Sequence, residues 1–134
     1  MRNLYIIWSD KNKLGVPIID EQHRGIISTI NSLHYFIQIG HGEEVLRPTL
    51  VMLAQYTEIH FKTEEALMKS ANYPAIKEHK VLHRDLIEKT RKLSTEHSGS
   101  LDSNRVLKFL REWWLGHINK EDRKYLPYMK KLDR

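Results

Sequence analysis

Apolar residues recur in four stretches of the chain at alternating steps of three and four, the spacing that places side chains on one face of an α-helix. In the second stretch this face comprises Leu46, Leu50, Leu53, Thr57, His60, Glu64 and Leu67. The same stepping gives His23, Ile26 or Ile27, Ile30, Leu33 and Ile37 in the first, Ile76, His79, His83, Leu86, Thr90 and Leu93 in the third, and Leu107, Leu110, Trp114 and His117 in the fourth. Four long amphipathic helices with short connections predict an all-α fold, an antiparallel up-down four-helix bundle.

Turn-forming residues separate these helices and set their predicted limits. The predicted helices run from Asp20 to the turn at 40–42, from Glu43 to about Ser70, from Pro74 to about Glu96, and from about Ser103 to Lys131. Residues 1–18 have no sustained helical period and contain Trp8, Gly15 and Pro17, so we expect an extended arm lying across the bundle. Residues 1–134 are thus predicted to form a single domain, with the arm at 1–18 and the bundle at 19–131.

The amino-acid composition limits the kinds of metal site and binding partner that this chain can have. The 134 residues include no cysteine, which excludes a disulfide scaffold and a thiolate metal site, so any metal must be held by nitrogen and oxygen. No apolar run approaches the roughly 18 to 20 residues of a membrane span, and the N-terminus does not resemble a secretion signal. We therefore expect a cytoplasmic protein without membrane contact. The net charge is +5, but basic and acidic residues are mixed along the chain, so nucleic acid is not an expected partner.

Each helix presents at least one histidine on its apolar face, and the second also presents a glutamate. The inward polar residues are His23, His60, Glu64, His79, His83 and His117. A single histidine on such a face is commonly a hydrogen-bonded core residue. Six inward polar groups are harder to explain as core residues, because each buried polar group without a partner lowers the stability of the fold by about 1 to 3 kcal/mol. The pattern therefore predicts a metal site inside the bundle.

The antiparallel arrangement puts these residues at one level. His23 lies near the start of the first helix, and His60 and Glu64 lie near the end of the second. His79 and His83 lie near the start of the third helix, and His117 lies near the end of the fourth. Because the helices alternate in direction, all six residues lie at the same end of the bundle. His34 lies 11 residues after His23, about 16 Å along the helix, and is predicted to be a structural or surface residue. We expect the same of His41 and His97, which lie in or beside loops.

Five motifs in order resemble the hemerythrin family, specifically its bacterial branch. They are WSD at Trp8, IDEQH ending at His23, HFKTE from His60 to Glu64, HKVLH from His79 to His83, and HINKED from His117 to Asp122. The resemblance covers nearly the whole chain. It implies two iron ions that bind dioxygen reversibly, with one iron held by three histidines, the other by two, and two carboxylates bridging them.

Matched motif by motif, the resemblance assigns His79, His83 and His117 to the first iron, His23 and His60 to the second, and Glu64 and Asp122 to the bridges. With a bridging oxo or hydroxo group, these ligands fill eleven of the roughly twelve positions of two octahedral ions. The open position falls on the two-histidine iron, where dioxygen can bind, or azide and similar anions in the oxidised form.

Spacing alone does not select Asp122. It follows His117 by five residues, about 140° around an α-helix, whereas Glu121, four residues on, would point with His117. Geometry favours Glu121 and the family motif favours Asp122, and we follow the motif.

The sequence is also compatible with other functions. A di-iron oxidase, peroxidase or iron-handling protein is the nearest alternative, although ferritin-like enzymes use Glu-x-x-His pairs and carboxylate-rich sites. A zinc or purely structural bundle is another, but zinc prefers four ligands. We predict no enzymatic activity. Oxygen carriage, storage and sensing are equally compatible with the sequence, as is a fused or partner signalling domain.

The ligand pocket shows one departure from the family. Hemerythrins usually have leucine three residues before the fourth-helix histidine, and here WWLGHI places Trp114 there. Trp114 lies on the same face as His117 and about 4.5 Å further toward the helix N-terminus. Core packing accounts for an indole at this position equally well. We predict that Trp114 and Ile118 line the ligand pocket, and that the indole narrows it.

Overall fold

The computed structural model describes residues 4–95 and 102–129, apart from the side chains of 94, 95, 118 and 119. Within these ranges all regular secondary structure is helical, and there is no β-strand. The α-helices are α1 (Pro17–Gln38), α2 (Gly42–Ser70), α3 (Ile76–Thr95), α4 (Ser103–Gly116) and the short α5 (Leu126–Met129). The first four pack as the predicted antiparallel up-down four-helix bundle.

The N-terminal arm lies against α1, as expected. The backbone N–H of Ile6 donates to Asn31 Oδ1, and Asn31 Nδ2 donates to the carbonyl of Ile6, both at 2.8 Å. Ile6 is buried in the core, and Trp8 packs against it. One side chain of α1 thus anchors the arm across the bundle.

Helix α1 begins at Pro17, three residues before the predicted start at Asp20. Proline suits the first helical position because it has no N–H to leave unbonded. Asp20 lies in the first turn and accepts hydrogen bonds from the N–H groups of Leu14 (2.7 Å) and Gly15 (3.1 Å). Its carboxylate therefore ties the end of the arm to the start of the helix.

Helix α3 begins at Ile76, so the predicted start at Pro74 was wrong by two residues. The end of α2 explains the difference. Asn72 takes a left-handed conformation (φ 56°), and the N–H of Tyr73 donates to the carbonyl of Met68. This is the usual closure of a helix C-terminus, and Pro74 belongs to the turn that follows it. The predicted end at Glu96 lies outside the described residues.

The fourth helix is not continuous from Ser103 to Lys131, as the periodicity predicted. Helix α4 ends at Gly116 and is followed by a π-helical turn, His117–Glu121, a 3₁₀ turn, Asp122–Tyr125, and α5. Lys131 lies outside the described residues. These two turns change which side chains face the bundle interior.

Two apolar clusters fill the bundle. The larger includes Ile26, Ile30, Leu50, Leu86 and Trp114, and the smaller includes Ile19, Met68, Tyr73, Tyr125 and Met129. Along the chain, the inward histidines of each segment lie between residues of the first cluster and residues of the second or residues packed against it. A buried polar layer therefore separates the two. In α2, Met68 is buried instead of the predicted Leu67, which is only partly buried.

Among the described residues, no helix is both long enough and apolar enough to cross a membrane.

Candidate metal centre

Seven polar side chains meet in the layer between the apolar clusters, and each is at most 6% exposed. They are His23 from α1, His60 and Glu64 from α2, His79 and His83 from α3, His117 at the start of the π-helical turn, and Asp122 directly after that turn. These are the candidate ligands named from the sequence. The structure brings all seven together.

The seven residues form two overlapping groups whose potential ligand atoms lie within 4.8 Å of one another. One group contains Glu64, His79, His83, His117 and Asp122, and the other contains His23, His60, Glu64 and Asp122. The two carboxylates are the only members of both. This is the arrangement expected of two adjacent cations that share two bridging carboxylates.

Asp122 lies among three imidazoles from three helices. Its Oδ1 is 2.8 Å from His117 Nε2 and 3.1 Å from His79 Nε2, while its Oδ2 is 2.9 Å from His23 Nε2. Its two oxygens therefore face different groups, as a bridging carboxylate requires.

The π-helical turn explains how Asp122 reaches this position. The backbone N–H of Asp122 donates to the carbonyl of His117, five residues earlier. A bond of this span widens the turn, so that residues five apart face the same side. Glu121 is directed outward, is 28% exposed and accepts a hydrogen bond from Lys124 Nζ at 2.9 Å. Of the two acidic candidates, the structure places Asp122 in the cluster, and the α-helical reasoning that favoured Glu121 was wrong.

Glu64 is the other shared carboxylate. Its Oε1 lies 3.1 Å from His60 Nε2 and 3.3 Å from His83 Nε2, and its Oε2 accepts a hydrogen bond of 2.5 Å from the Tyr125 hydroxyl. Burial, with the nearby carboxylates, raises the pKa of Tyr125 far above its ordinary value, so the phenol keeps its proton. Tyr125 is therefore the hydrogen-bond donor in this contact and holds the Glu64 carboxylate in place.

Hydrogen bonds behind the cluster orient His60. Thr63 donates to the carbonyl of Ile59, so its oxygen accepts from Gln22 Nε2 at 3.3 Å. Gln22 Oε1 is then the atom that accepts from His60 Nδ1, at 2.7 Å. With the proton on Nδ1, a neutral His60 directs the lone pair of Nε2 toward the cluster.

His83 is oriented in the same way by a carboxylate. Glu65 Oε2 lies 2.9 Å from His83 Nδ1 and can only accept a hydrogen bond, so Nδ1 carries the proton. Burial lowers the pKa of His83 by more than the nearby charge of Glu64 raises it. The ring is therefore neutral near pH 7, with the Nε2 lone pair facing inward.

Sequence reasoning missed Gln22, Glu65 and Tyr125. The first two each adjoin a candidate ligand in the chain, and such a neighbour faces the adjoining helix rather than the bundle axis. Their position next to a candidate ligand was the sequence signal that could have identified Gln22 and Glu65. Tyr125 follows the π-helical and 3₁₀ turns, where α-helical spacing does not predict facing, so no sequence signal identified it.

The donor atoms of the cluster fit cations better than they fit one another. Among the described residues, inward atoms of six of the seven are buried without a hydrogen bond: Nε2 of His23, His60, His83 and His117, Glu64 Oε1 and Asp122 Oδ2. The lone pair of His83 Nε2 faces the carboxylate oxygen Glu64 Oε1, and two acceptors at 3.3 Å repel each other. A cation between them removes the repulsion and satisfies both. Imidazole nitrogens and carboxylate oxygens are suitable ligands for iron.

Both carboxylates are ionised at neutral pH. Burial raises the pKa of Asp122, but His117, His23 and His79 more than offset it, leaving the pKa well below its ordinary value. Burial and Asp122 raise the pKa of Glu64, and His60 and His83 bring its net value below the usual range. Burial lowers the pKa of His117, but Asp122, together with Glu64 and Glu121, raises it by more, for a net increase. The site thus offers two carboxylates that lose no proton when they bind a cation.

Trp114 lies in the larger apolar cluster beside the centre. Its side chain is 1% exposed and stacks on Phe61 at 5.5 Å between ring centroids, and Phe61 stacks on His83 at 3.7 Å. The indole N–H is buried without a hydrogen-bond partner among the described residues. The side chain of Ile118, the other candidate for the pocket, lies outside the described part of the chain.

Two of the remaining histidines lie away from the cluster, as expected. His34 stacks on Tyr5 at 4.7 Å between centroids, and His41 is exposed beside Glu44. His97 lies outside the described residues.

Comparison with known proteins agrees with this geometry. Residues 14–129 match the family model of the hemerythrin HHE cation binding domain. A bacteriohemerythrin of Stenotrophomonas maltophilia (strain R551-3) is 30% identical over 126 residues, which cover 93% of this chain and 82% of the relative. A bacteriohemerythrin of Methylococcus capsulatus is 32% identical over 115 residues, covering 84% of this chain and 87% of the relative.

Solved structures show the same relationship. The crystal structure of a wild-type hemerythrin superposes with a TM-score of 0.83 at 28% sequence identity, covering 93% of this chain and 98% of that one. The family match spans most of the chain and includes every residue of the buried cluster. This chain belongs to the hemerythrin family.

Proposed function

We propose that this protein binds dioxygen reversibly at a di-iron centre held by the seven clustered residues. Hemerythrins carry a di-iron centre and bind dioxygen. The proposed assignment is His79, His83 and His117 on one iron, His23 and His60 on the other, with Glu64 and Asp122 bridging. The observation that carries it is the pair of overlapping donor groups, which share only these two carboxylates.

When bound, the two irons supply the reversible electron transfer by which dioxygen is held. The chain's own residues supply the rest. Gln22 and Glu65 hold the Nδ1 protons of His60 and His83, which keeps the Nε2 lone pairs directed inward. Tyr125 fixes Glu64, and the aromatic side chains of Phe61 and Trp114 close the centre to bulk water on the side of the larger apolar cluster.

Reversible binding is favoured over enzymatic oxidation. The centre has five imidazoles and two carboxylates, unlike the carboxylate-rich sites of ferritin-like di-iron enzymes. Hemerythrins bind oxygen and are not enzymes. A single zinc ion is also disfavoured, because seven clustered ligands exceed its usual four.

We further propose carriage, storage or sensing of oxygen as the physiological use, in the cytoplasm, with sensing requiring a fused or partner signalling domain. Azide and related anions are proposed ligands of the oxidised form.

Trp114 is proposed to border the ligand pocket. Its indole N–H is a buried donor without a partner, and such a group is costly unless something accepts its hydrogen bond. A bound oxygen species or anion would supply that acceptor. Trp114 would then limit the size of the pocket and donate a hydrogen bond to the bound ligand.

The test is a cycle of oxygenation. The iron-loaded protein, reduced without air, should develop a charge-transfer absorption band when oxygen is added, lose it under argon, and regain it with fresh oxygen. A matched pair of variants on α1 locates the chemistry: His23→Ala should abolish the cycle, and His34→Ala should leave it intact. Irreversible bleaching in the parent, or turnover of peroxide faster than the site decays, would contradict reversible binding.

A further inference from the structure

The two donor groups are supported by unlike hydrogen-bond acceptors. His60, in the group with His23, donates from Nδ1 to the neutral amide of Gln22. His83, in the group with His79 and His117, donates from Nδ1 to the carboxylate of Glu65. Both acceptors fix the same ring orientation, so orientation alone does not require them to differ. What differs is charge.

The Gln22 amide is held in one orientation. Its nitrogen donates to Thr63, whose hydroxyl proton is already used on the carbonyl of Ile59. The carbonyl oxygen of Gln22 therefore faces His60, and the amide contributes a dipole and no net charge. In the same group, His23 Nδ1 is buried without a hydrogen-bond partner among residues 4–95 and 102–129. Neither ring of this group is backed by a carboxylate through Nδ1 among the described contacts.

Glu65 acts more strongly on its ring. Hydrogen bonds to a carboxylate are about twice as strong as those between neutral groups. A carboxylate behind a metal-binding imidazole also raises the basicity of the nitrogen that binds the cation. The side chain of Glu65 is only 17% exposed, and its ion-pair contact among the described residues is His83. Its negative charge is therefore poorly screened and directed through a single ring.

We propose that Glu65 and Gln22 make the two metal positions unequal in cation affinity. The carboxylate of Glu65 strengthens binding at the position of His79, His83 and His117, and the neutral amide of Gln22 leaves the position of His23 and His60 the weaker one. Both are positioning residues that act through a ligand ring. The inference rests on the ligand assignment of the proposed function.

The chain offers a test at constant composition. In the double exchange Gln22→Glu/Glu65→Gln, the amide and the carboxylate trade places, so the net charge and the number of hydrogen-bond acceptors are unchanged. The single variants Gln22→Glu and Glu65→Gln separate the two contributions, and helical circular dichroism checks that each one folds. Cobalt(II) is the probe, because it accepts nitrogen and oxygen ligands and its binding does not depend on oxygen chemistry.

The measurement uses metal-free protein of each variant crystallised with one equivalent of cobalt(II) per chain. Anomalous scattering then gives the occupancy of each position. Partners behind a metal ligand typically change metal affinity by about 10- to 100-fold. The quantity compared is the cobalt affinity of the three-histidine position divided by that of the two-histidine position. We expect this ratio to fall by about 10- to 100-fold in each single variant and by more in the double exchange.

If the ratio of cobalt occupancies at the two positions is the same in the parent and in the double exchange, with both proteins folded, the inference is overturned. Gln22 and Glu65 would then only fix the orientation of their imidazole rings. That result would leave the proposed function standing, provided that the parent binds two cobalt ions at saturation. A parent that binds no cobalt in the cluster would overturn both. A lower ratio in Glu65→Gln than in the parent, enlarged by adding Gln22→Glu, supports the inference.

Discussion

Asp122 and Glu121 are adjacent acidic residues for which the structure predicts opposite consequences of losing the charge. Asp122 is fully buried, and its oxygens lie between 2.8 and 3.1 Å from three imidazole nitrogens. Glu121 is partly exposed and pairs with Lys124. Asp122→Asn and Glu121→Gln each replace a carboxylate with an amide of nearly the same shape. The pair therefore isolates the effect of position.

The expected effect of Asp122→Asn is large in both states of the protein. Without metal, a charged hydrogen-bond acceptor becomes neutral, which should lower the free energy of unfolding by about 1.5 to 3 kcal/mol. With metal, an amide can offer one oxygen but cannot bridge, so both positions are weakened together. Because even partners behind a ligand cost about 10- to 100-fold in affinity, losing the bridge should cost at least that at each position. Glu121→Gln should change neither quantity measurably.

Urea unfolding of the metal-free proteins measures the first quantity, and iron per chain after anaerobic loading and desalting measures the second. We expect two irons in the parent and in Glu121→Gln, and fewer than one in Asp122→Asn. If Glu121→Gln loses iron while Asp122→Asn keeps two, the π-helical turn does not direct residue 122 to the centre and the reasoning is refuted.

Three further predictions follow from individual contacts. Tyr125→Phe removes the hydrogen bond to Glu64 Oε2 and should lower the unfolding free energy of the metal-free protein by about 1.5 to 3 kcal/mol, measured by urea denaturation; no change would mean that the contact does not stabilise the fold. Trp114→Leu should speed azide binding to the oxidised protein and alter the rate of autoxidation, measured by stopped-flow and by decay of the oxy spectrum, whereas unchanged rates in a folded variant would make Trp114 a packing residue only. Since the pKa of Asp122 is lower in the folded chain than its ordinary value of 3.8, its stabilising contribution should be complete above that value and should disappear as the pH falls through the folded pKa. The stability difference between metal-free parent and Asp122→Asn should therefore shrink with acidification below about pH 4, and a constant difference across the titration would contradict the assignment.

The helical periodicity identified most of this site because most of it obeys α-helical geometry. His60 and Glu64 are four residues apart on α2, and His79 and His83 are four apart on α3, so each pair projects to one side of its helix. The antiparallel order then brings the pairs to one level. The spacing of side chains along the helices therefore suffices to predict these four residues, and the buried cluster contains them.

Where the backbone departs from the α-helix, periodicity failed. The bond from Asp122 N–H to the carbonyl of His117 changes the facing of every later residue, and nothing in the local composition indicates that bond. Family resemblance selected Asp122, whose side chain the structure places in the cluster, whereas spacing favoured Glu121. The residues that orient the imidazoles were not predicted, for another reason. Gln22 and Glu65 contact ring nitrogens of histidines on a neighbouring helix, and such contacts depend on how each helix is rotated about its axis.

The most direct measurement of the central claim is an anomalous difference map at the iron edge from crystals of the iron-loaded protein. We expect two peaks per chain, one beside His79, His83 and His117 and the other beside His23 and His60, with Glu64 and Asp122 in contact with both. A single peak, or two peaks that do not share these carboxylates, would contradict it.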